Sequence, residues 1–111
     1  MKHSPLGRLV TVTVDRPLGS CHPRYPDTVY PVNYGFVAGV AAQDGEWQDA
    51  YILGVDRPVP TFTGRVIAII RRLNDVEDKW VVAPEGTPFD AAQIRAATRF
   101  QEQYFESVIE T

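Results

Sequence analysis

The chain has 111 residues, 44% of them hydrophobic, so it can close one core and is expected to form a single domain over residues 1–111. The formal net charge of -3 argues against a nucleic-acid partner, because sequence-independent binding needs a basic surface that displaces counterions from phosphates. No stretch reaches the roughly 20 apolar residues that span a bilayer, so no membrane partner is expected.

The single cysteine indicates a reducing compartment, because Cys21 cannot form an internal disulfide. The first residues, MKHSPLGRL, are followed by an alternating segment and lack the continuous apolar block of a secretory signal. We therefore expect a cytoplasmic protein.

Short strands dominate the first three quarters of the chain. Alternating apolar and β-branched residues predict a strand at 9–14, which Asp15 ends, and a proline-rich ordered loop follows at 16–31. Four further strands, bounded by Gly, Pro or Asp, are predicted at residues 33–37, 50–55, 65–70 and 80–83. Their spacing predicts a small, OB-like closed β-barrel, and the apolar run at 65–70 predicts a strand covered on both faces.

The C-terminal part changes to a helical period. Thr87 is a candidate N-cap, Pro88 a first helical residue and Asp90 an acid in the first turn, so we predict a helix from there to about Ile109. Its predicted inner face comprises Ile94, Ala97, Phe100 or Gln101, Tyr104 and Val108. The expected fold class is therefore mainly β (α+β), with one C-terminal α-helix packed on one barrel.

Seven acidic residues fall at or beside the ends of predicted strands, where a barrel can bring distant segments to one rim. They are Asp15, Asp44, Glu46, Asp49, Asp75, Glu77 and Asp78. Crowded carboxylates repel one another, and oxygen ligands without paired His or Cys select hard cations such as Mg²⁺ or Mn²⁺. A bound metal ion would offset the repulsion. The alternative is that these acids are solvated turn residues, because Asp and Gly are ordinary in turns.

A second set of residues could hold a phosphate beside the acids. It comprises Arg16, Arg24, Lys79 and the hydroxyls of Tyr30, Tyr34 and Tyr104. Mg²⁺ completes its shell with a few carboxylates and with substrate phosphate oxygens. Acids, cations and phenols together therefore predict phosphoryl transfer to water, with a small phosphate compound as substrate. Tyr30 and Tyr34 also fit simple core aromatics with hydrated hydroxyls.

Cys21 and His22 are weaker candidates for a zinc site or for a catalytic nucleophile. One His and one Cys make only half of a zinc site. Cys21 is a poor candidate nucleophile, because the adjacent His22 cannot easily face its neighbour's thiol.

Two stretches resemble the soluble family I inorganic pyrophosphatases. Residues 30–36, YPVNYGF, match the family's Y-P-x-N-Y-G-[YF] strand, and residues 44–49, DGEWQD, follow at a similar interval where the family has D-G-D-P-x-D. The resemblance covers roughly residues 10–110. It implies Mg²⁺-dependent hydrolysis of pyrophosphate and, because bacterial members assemble, a homo-oligomer.

The resemblance assigns roles to the acids. Asp44 and Asp49 match metal ligands, and Glu46 falls where the family has the aspartate proposed to take the proton from the attacking water. Asp15 matches the glutamate of the family's E-I-P-x-G-S segment, which serves the metal site. Either Glu46 or Asp49 would act as the base.

The resemblance also assigns roles to residues 75–79 and to three tyrosines. Asp75 and either Glu77 or Asp78, followed by Lys79, match the family's D-x(n)-D-x-K block, which binds further metal and pyrophosphate. The tyrosines that match substrate-side positions are Tyr30, Tyr34 and Tyr104.

Several positions depart from the family pattern. Trp47 replaces the signature proline, Glu46 replaces the central aspartate, and Phe105 stands where the family usually has a lysine on phosphate. The long hairpin before the tyrosine strand is reduced to residues 21–29, with Arg24 as its cation. The metal half of the site is therefore expected to be more complete than the phosphate half.

Three hypotheses remain open at this stage. The first is Mg²⁺-dependent hydrolysis of pyrophosphate. The second is hydrolysis of another phosphorylated substrate, because a shorter loop leaves room for a larger group. The third is a non-catalytic member that binds a metal ion, an anion or a protein partner. Three aromatic residues in segments expected near the exterior are candidates either for an oligomer interface or for partial burial within the monomer: Trp47, Phe62 and Trp80.

Overall fold

The computed structural model describes residues 4–111, which form six strands and one helix. The strands are β1 (Leu9–Arg16), β2 (Asn33–Ala41), β3 (Trp47–Ile52), β4 (Thr61–Arg72), β5 (Asp78–Ala83) and β6 (Ser107–Glu110), and the helix is α1 (Ala91–Glu102). In this described part of the chain, no helix is long and apolar enough to span a bilayer.

Five strands close into a barrel. They pair in the order β1-β2-β3-β5-β4, and β4 pairs back with β1, so the barrel leaves none of these five strands as a free edge. All neighbours are antiparallel except β3 and β5, which are parallel. β6 extends the sheet beyond β4. The predicted OB-like closed barrel with a C-terminal helix is confirmed.

Apolar side chains form two clusters. The cluster inside the barrel contains Val10, Val12, Val37, Ala50, Ile52, Val66, Ile69, Trp80 and Val82. The cluster between the barrel wall and α1 contains Tyr30, Tyr34, Tyr51, Leu53, Ala68, Ile70, Val81 and Ile94. β3, β4 and β5 supply both clusters, because successive strand residues face opposite sides. In β4 a register shift between Val66 and Ala68 interrupts the alternation, so Val66 and Ile69 lie in the same cluster. Trp80, expected near the exterior, is instead a core residue.

The helix differs from its predicted bounds. Asp90 is the N-cap, and its side chain and that of Gln93 form a capping box, so Pro88 precedes the helix. The helix ends at Glu102, not near Ile109, because Ser107–Glu110 pairs with β4 as strand β6. Tyr104, predicted on the inner helix face, lies in the connecting turn and is exposed.

A bulge in β1 places Asp15 beside β2. Val14 pairs with Gly35 and Arg16 pairs with Tyr34, so Asp15 is the extra residue between two regular pairs. Bulges of this kind redirect a side chain next to functional sites. Gly35 permits the close approach, since a Cβ there would meet the backbone of Thr13.

Replacement of Gly35 by alanine tests this close approach. The added methyl group would overlap the Thr13 carbonyl, so Gly35→Ala should lower the free energy of unfolding by about 1–3 kcal/mol. Urea denaturation measures the change. The control is Ala38→Ser at an exposed position of the same strand, which should stay within about 0.5 kcal/mol. Equal changes in both variants would contradict the proposed role of Gly35.

Candidate functional site

A cleft of about 940 Å³ lies between the barrel wall and the end of α1, and we call it the main cleft. All six predicted phosphate-binding residues line it: Arg16, Arg24, Tyr30, Tyr34, Lys79 and Tyr104. Three of the predicted acids, Asp15, Asp49 and Glu77, line it as well. The fold therefore brings these residues together from four barrel strands and from three connecting segments.

A smaller depression of about 590 Å³ shares three acids with the main cleft, and we call it the acidic depression. Its lining residues are Asp15, Phe36, Asp44, Gly45, Glu46, Trp47, Asp49 and Glu77. Five of the eight are acidic, and none is lysine or arginine. Carboxylates from β1, the β2–β3 turn, β3 and the segment before β5 thus face one space.

Lys79 lies among the acids. Its Nζ donates to Asp49 Oδ2 at 2.7 Å, to Glu77 Oε2 at 2.6 Å and to the Tyr34 hydroxyl at 3.0 Å. The residue is only 3% exposed. Burial lowers the pKa of the ammonium, but Tyr34, Asp49 and Glu77 outweigh burial and raise the pKa, so Lys79 stays charged.

Strand register explains this arrangement. β3 and β5 are parallel and place Ala50 opposite Trp80, so Asp49 and Lys79 lie side by side at the start of that pairing. Burial raises the pKa of the Tyr34 phenol despite Lys79, so Tyr34 is a neutral hydroxyl.

The turn between β2 and β3 presents Asp44 and Glu46. Asp44 Oδ1 accepts a hydrogen bond from the Glu46 backbone N–H at 3.0 Å, which is ordinary turn chemistry. The neighbouring Glu77 carboxyl and, to a lesser extent, the Glu46 backbone N–H lower the pKa of Asp44. Asp44 therefore supports the turn and also borders the Glu77 carboxyl.

Asp15 carries its charge on a side chain that is 46% exposed. Burial raises its pKa, the Arg16 guanidinium opposes the rise, and the Asp49 carboxylate adds to it. Arg16 Nη1 lies 3.9 Å from Asp15 Oδ2. Asp15 and Asp49, from strands on either side of β2, are therefore close enough to repel each other.

Asp75 and Asp78 lie elsewhere. Neither lines the main cleft or the acidic depression. Asp75 pairs with Arg72 at 3.3 Å and caps the Val76 backbone N–H, whereas Asp78 pairs with Arg71 at 2.9 Å. Their predicted metal-binding role is untested and stays a prediction.

Solved structures with a similar fold are inorganic pyrophosphatases. The Neisseria gonorrhoeae enzyme aligns at a TM-score of 0.67 and 20% identity, covering 88% of this chain and 74% of that one. The Ehrlichia chaffeensis enzyme aligns at 0.70 and 16% identity, covering 94% and 85%. The Thermus thermophilus enzyme aligns at 0.61 and 16% identity, covering 100% and 84%. The chain has the fold of the inorganic pyrophosphatases. No protein-family model matches it, and no curated protein sequence matches it.

Arg72 is a residue of the main cleft that the sequence analysis did not identify. Its side chain is 4% exposed. Its Nε and Nη2 donate to the two Glu102 carboxylate oxygens at 3.0 and 2.7 Å, and Nη1 lies 3.6 Å from Glu77 Oε2. The available signal was the pair Arg71 and Arg72 directly after the apolar strand predicted at 65–70, because a charge that becomes buried there needs a partner.

Phe105 packs against the Arg72 side chain. Its ring lies 3.7 Å from the Arg72 guanidinium carbon, within cation–π range. The resemblance placed a phosphate-binding lysine at this position. In this pyrophosphatase-like chain the ring instead supports a cation that comes from β4.

His22 and Tyr25 also line the main cleft and were not predicted as substrate residues. His22 Nδ1 accepts from the backbone N–H groups of Arg24 at 3.0 Å and Tyr25 at 3.3 Å, so a neutral His22 carries its proton on Nε2. Cys21 is exposed and pairs with Val29 through a β-bridge. His22 therefore serves as a turn acceptor.

The donor set fits a hard divalent cation in its chemistry, because the acidic depression offers only carboxylate oxygens among its charged groups. The side-chain positions fit such a cation less well than the chemistry does. Among residues 4–111, no three His, Cys, Asp or Glu side chains are arranged to hold one metal ion. Asp49 and Glu77 already face Lys79, so an ion would have to draw them away from it.

Proposed function

We propose that this pyrophosphatase-like chain hydrolyses pyrophosphate, or a related phosphate compound, with Mg²⁺ or Mn²⁺ as cofactor. One observation carries the proposal: five acids line a depression that shares Asp15, Asp49 and Glu77 with a cleft containing four cationic side chains. The cations are Arg16, Arg24, Arg72 and Lys79. Metal ligands and phosphate ligands therefore lie on adjoining surfaces, as a metal-bound polyanion requires.

Asp15, Asp44 and Asp49 would hold the metal ion, with Glu77 beside them. When bound, a divalent ion lowers the pKa of its water and neutralises charge on the phosphate. Asp15 supports this role, because burial and Asp49 make its negative charge unfavourable and a cation would relieve both effects.

The chain's own residues would carry out the remaining steps. Asp49 or Glu46 would take the proton from the attacking water, which requires a distance of about 2.6–3.2 Å. Lys79 fixes Asp49 through a hydrogen bond of 2.7 Å, and this bond orients the carboxylate. Arginines and tyrosines of the main cleft would bind the leaving phosphate through hydrogen bonds: Arg16, Arg24, Tyr30 and Tyr104. Lys79, whose three N–H groups already donate to Tyr34, Asp49 and Glu77, would contribute only its charge.

Phosphate release from pyrophosphate tests the proposal directly. We expect turnover that requires Mg²⁺ or Mn²⁺, saturates with substrate and disappears when EDTA removes the metal ion. The measurement is phosphate release across a metal titration, with a no-enzyme blank. A rate equal to the blank at every metal concentration would refute the proposed activity.

A non-catalytic member of the fold is the second candidate. The observation that favours it is the Lys79 ammonium between Asp49 and Glu77, because a metal ion would compete with this internal cation. Calorimetry distinguishes the candidates: binding of pyrophosphate or Mg²⁺ without phosphate release would identify a binding protein.

Two expectations about the setting stay predictions. They are the cytoplasmic location and the homo-oligomer. Trp47 remains a candidate interface residue, since it is half exposed and its ring lies 5.6 Å from that of Phe36.

A further inference from the structure

The main cleft is large for an inorganic anion. Its volume of about 940 Å³ lies near the upper end of the range of roughly 300–1,000 Å³ that is typical of sites for organic ligands. Pyrophosphate carries no organic group and would contact only the cationic and acidic part. A substrate that fills the cleft must carry an organic group that contacts the remaining part of the cleft wall.

That remaining wall is largely aromatic, and the Asp27 carboxylate also lies in it. Tyr25 is 59% exposed and Tyr104 is 72% exposed, and both line the main cleft. The His22 ring lies 5.1 Å from the Tyr25 ring at an angle of 40°. Exposed rings beside a cleft provide faces on which a flat ligand ring stacks, largely without regard to the identity of the base.

The loop that carries Tyr25 is ordered by hydrogen bonds. His22 N–H donates to the Thr28 carbonyl at 2.8 Å, and Thr28 N–H donates to the Tyr25 carbonyl at 2.9 Å. The His22 ring also lies nearly parallel to the buried Tyr30 ring, with 6.3 Å between centroids. Tyr25 is therefore held at the cleft by backbone contacts that do not depend on its own side chain.

A cation lies in the same loop. Arg24 lines the main cleft, is exposed, and forms no ion pair within residues 4–111. A free guanidinium next to exposed rings matches a ligand in which phosphoryl groups are joined to a planar ring. Arg16 also lines the main cleft and lies nearer the acids, with its Nη1 3.9 Å from Asp15 Oδ2, whereas the charge of the buried Lys79 is paired with Asp49 and Glu77.

We infer that the substrate is a nucleoside diphosphate, with its base on Tyr25 and its phosphoryl groups between Arg24 and the acidic depression. The inference rests on the proposed phosphate hydrolysis. Water attacks the terminal phosphorus, the bond from that phosphorus to the bridging oxygen breaks, and the nucleoside monophosphate leaves with that oxygen. The proton of the water passes to Asp49 or Glu46. The products are a nucleoside monophosphate and inorganic phosphate.

The test compares ADP with pyrophosphate as substrates of the full chain in Mg²⁺. Tyr25→Ala should lower kcat/KM for ADP by about tenfold, because the ring loses its stacking partner. The same variant should leave kcat/KM for pyrophosphate unchanged, since pyrophosphate has no ring. Tyr25→Phe keeps the ring and should restore the value for ADP. Circular dichroism of both variants controls for the fold.

Each outcome decides between the two proposals. An unchanged kcat/KM for ADP in Tyr25→Ala, or equal losses for both substrates, would overturn the nucleotide inference and leave pyrophosphate hydrolysis in place. If neither compound is hydrolysed, calorimetric titration of ADP decides. A Kd for ADP about tenfold weaker in Tyr25→Ala would support the ring site and overturn only the hydrolysis. With neither compound hydrolysed, absence of ADP binding would overturn both the ring site and the proposed hydrolysis.

Discussion

Replacing Asp49 with asparagine is expected to lower kcat for pyrophosphate by about 10²–10⁴-fold, the contribution typical of a positioned general base. The amide keeps nearly the same shape and can still accept the hydrogen bond from Lys79, but it cannot take a proton. Phosphate release at saturating substrate and saturating Mg²⁺ measures the change. Glu46→Gln, assayed in parallel, identifies the base, because the larger loss marks the residue that takes the proton.

The matched control for this experiment is Asp78→Asn. This substitution removes one carboxylate charge, as Asp49→Asn does. Asp78 pairs with Arg71 and lines neither the main cleft nor the acidic depression. Its kcat should stay close to that of the unmodified chain. A loss in Asp78→Asn as large as that in Asp49→Asn would show that the effect comes from net charge or stability, and it would contradict the assigned role of Asp49.

Replacing Arg72 with methionine is expected to lower the free energy of unfolding by roughly 3–5 kcal/mol, because it leaves the buried Glu102 carboxylate without its partner. Glu102 also accepts from the Tyr51 hydroxyl at 2.6 Å, and Gln101 donates to that hydroxyl at 2.8 Å. The network joins the end of α1 to the barrel. Urea denaturation of both proteins measures the loss.

Arg71 provides the control at the adjacent position of β4. Its side chain is 43% exposed and pairs with Asp78 and Glu110, each at 2.9 Å. Exposed pairs contribute little, so Arg71→Met should cost no more than about 1 kcal/mol. The double variant Arg72→Met/Glu102→Leu should regain part of the loss by removing the unpaired charge. Similar losses in Arg71→Met and Arg72→Met would contradict this account.

Arg72 and Lys79 change the explanation of how the acids tolerate one another. The sequence alone indicated that metal ions would offset the repulsion. In the folded chain, Lys79 pairs with Asp49 and Glu77, and Arg72 Nη1 lies 3.6 Å from the same Glu77 oxygen, Oε2. Part of the charge balance is therefore built into the barrel, and the proposed metal ion would compensate chiefly Asp15, Asp44 and Glu46.

Local patterns determined much of the architecture. The alternation at residues 9–14 and the apolar run of β4 each report burial within a few positions, so the closed barrel could be predicted from them. The end of α1 could not be predicted from such local patterns. Ser107–Glu110 is only four residues long, and it is a strand because the far end of β4 offers backbone partners. A short apolar segment does not distinguish a last helical turn from an edge strand.

The sequence by itself determined the chemical groups: acids at strand ends, a few cations and a tyrosine-rich strand. Only the tertiary structure decided which of them meet, because strand register and bulges are set by long-range pairing. The β1 bulge positions Asp15 between its regular pairs, and the parallel β3–β5 pair aligns Asp49 with Lys79. Successive strand residues face opposite sides, so Lys79 lines the main cleft while Asp78, one position earlier, pairs with Arg71.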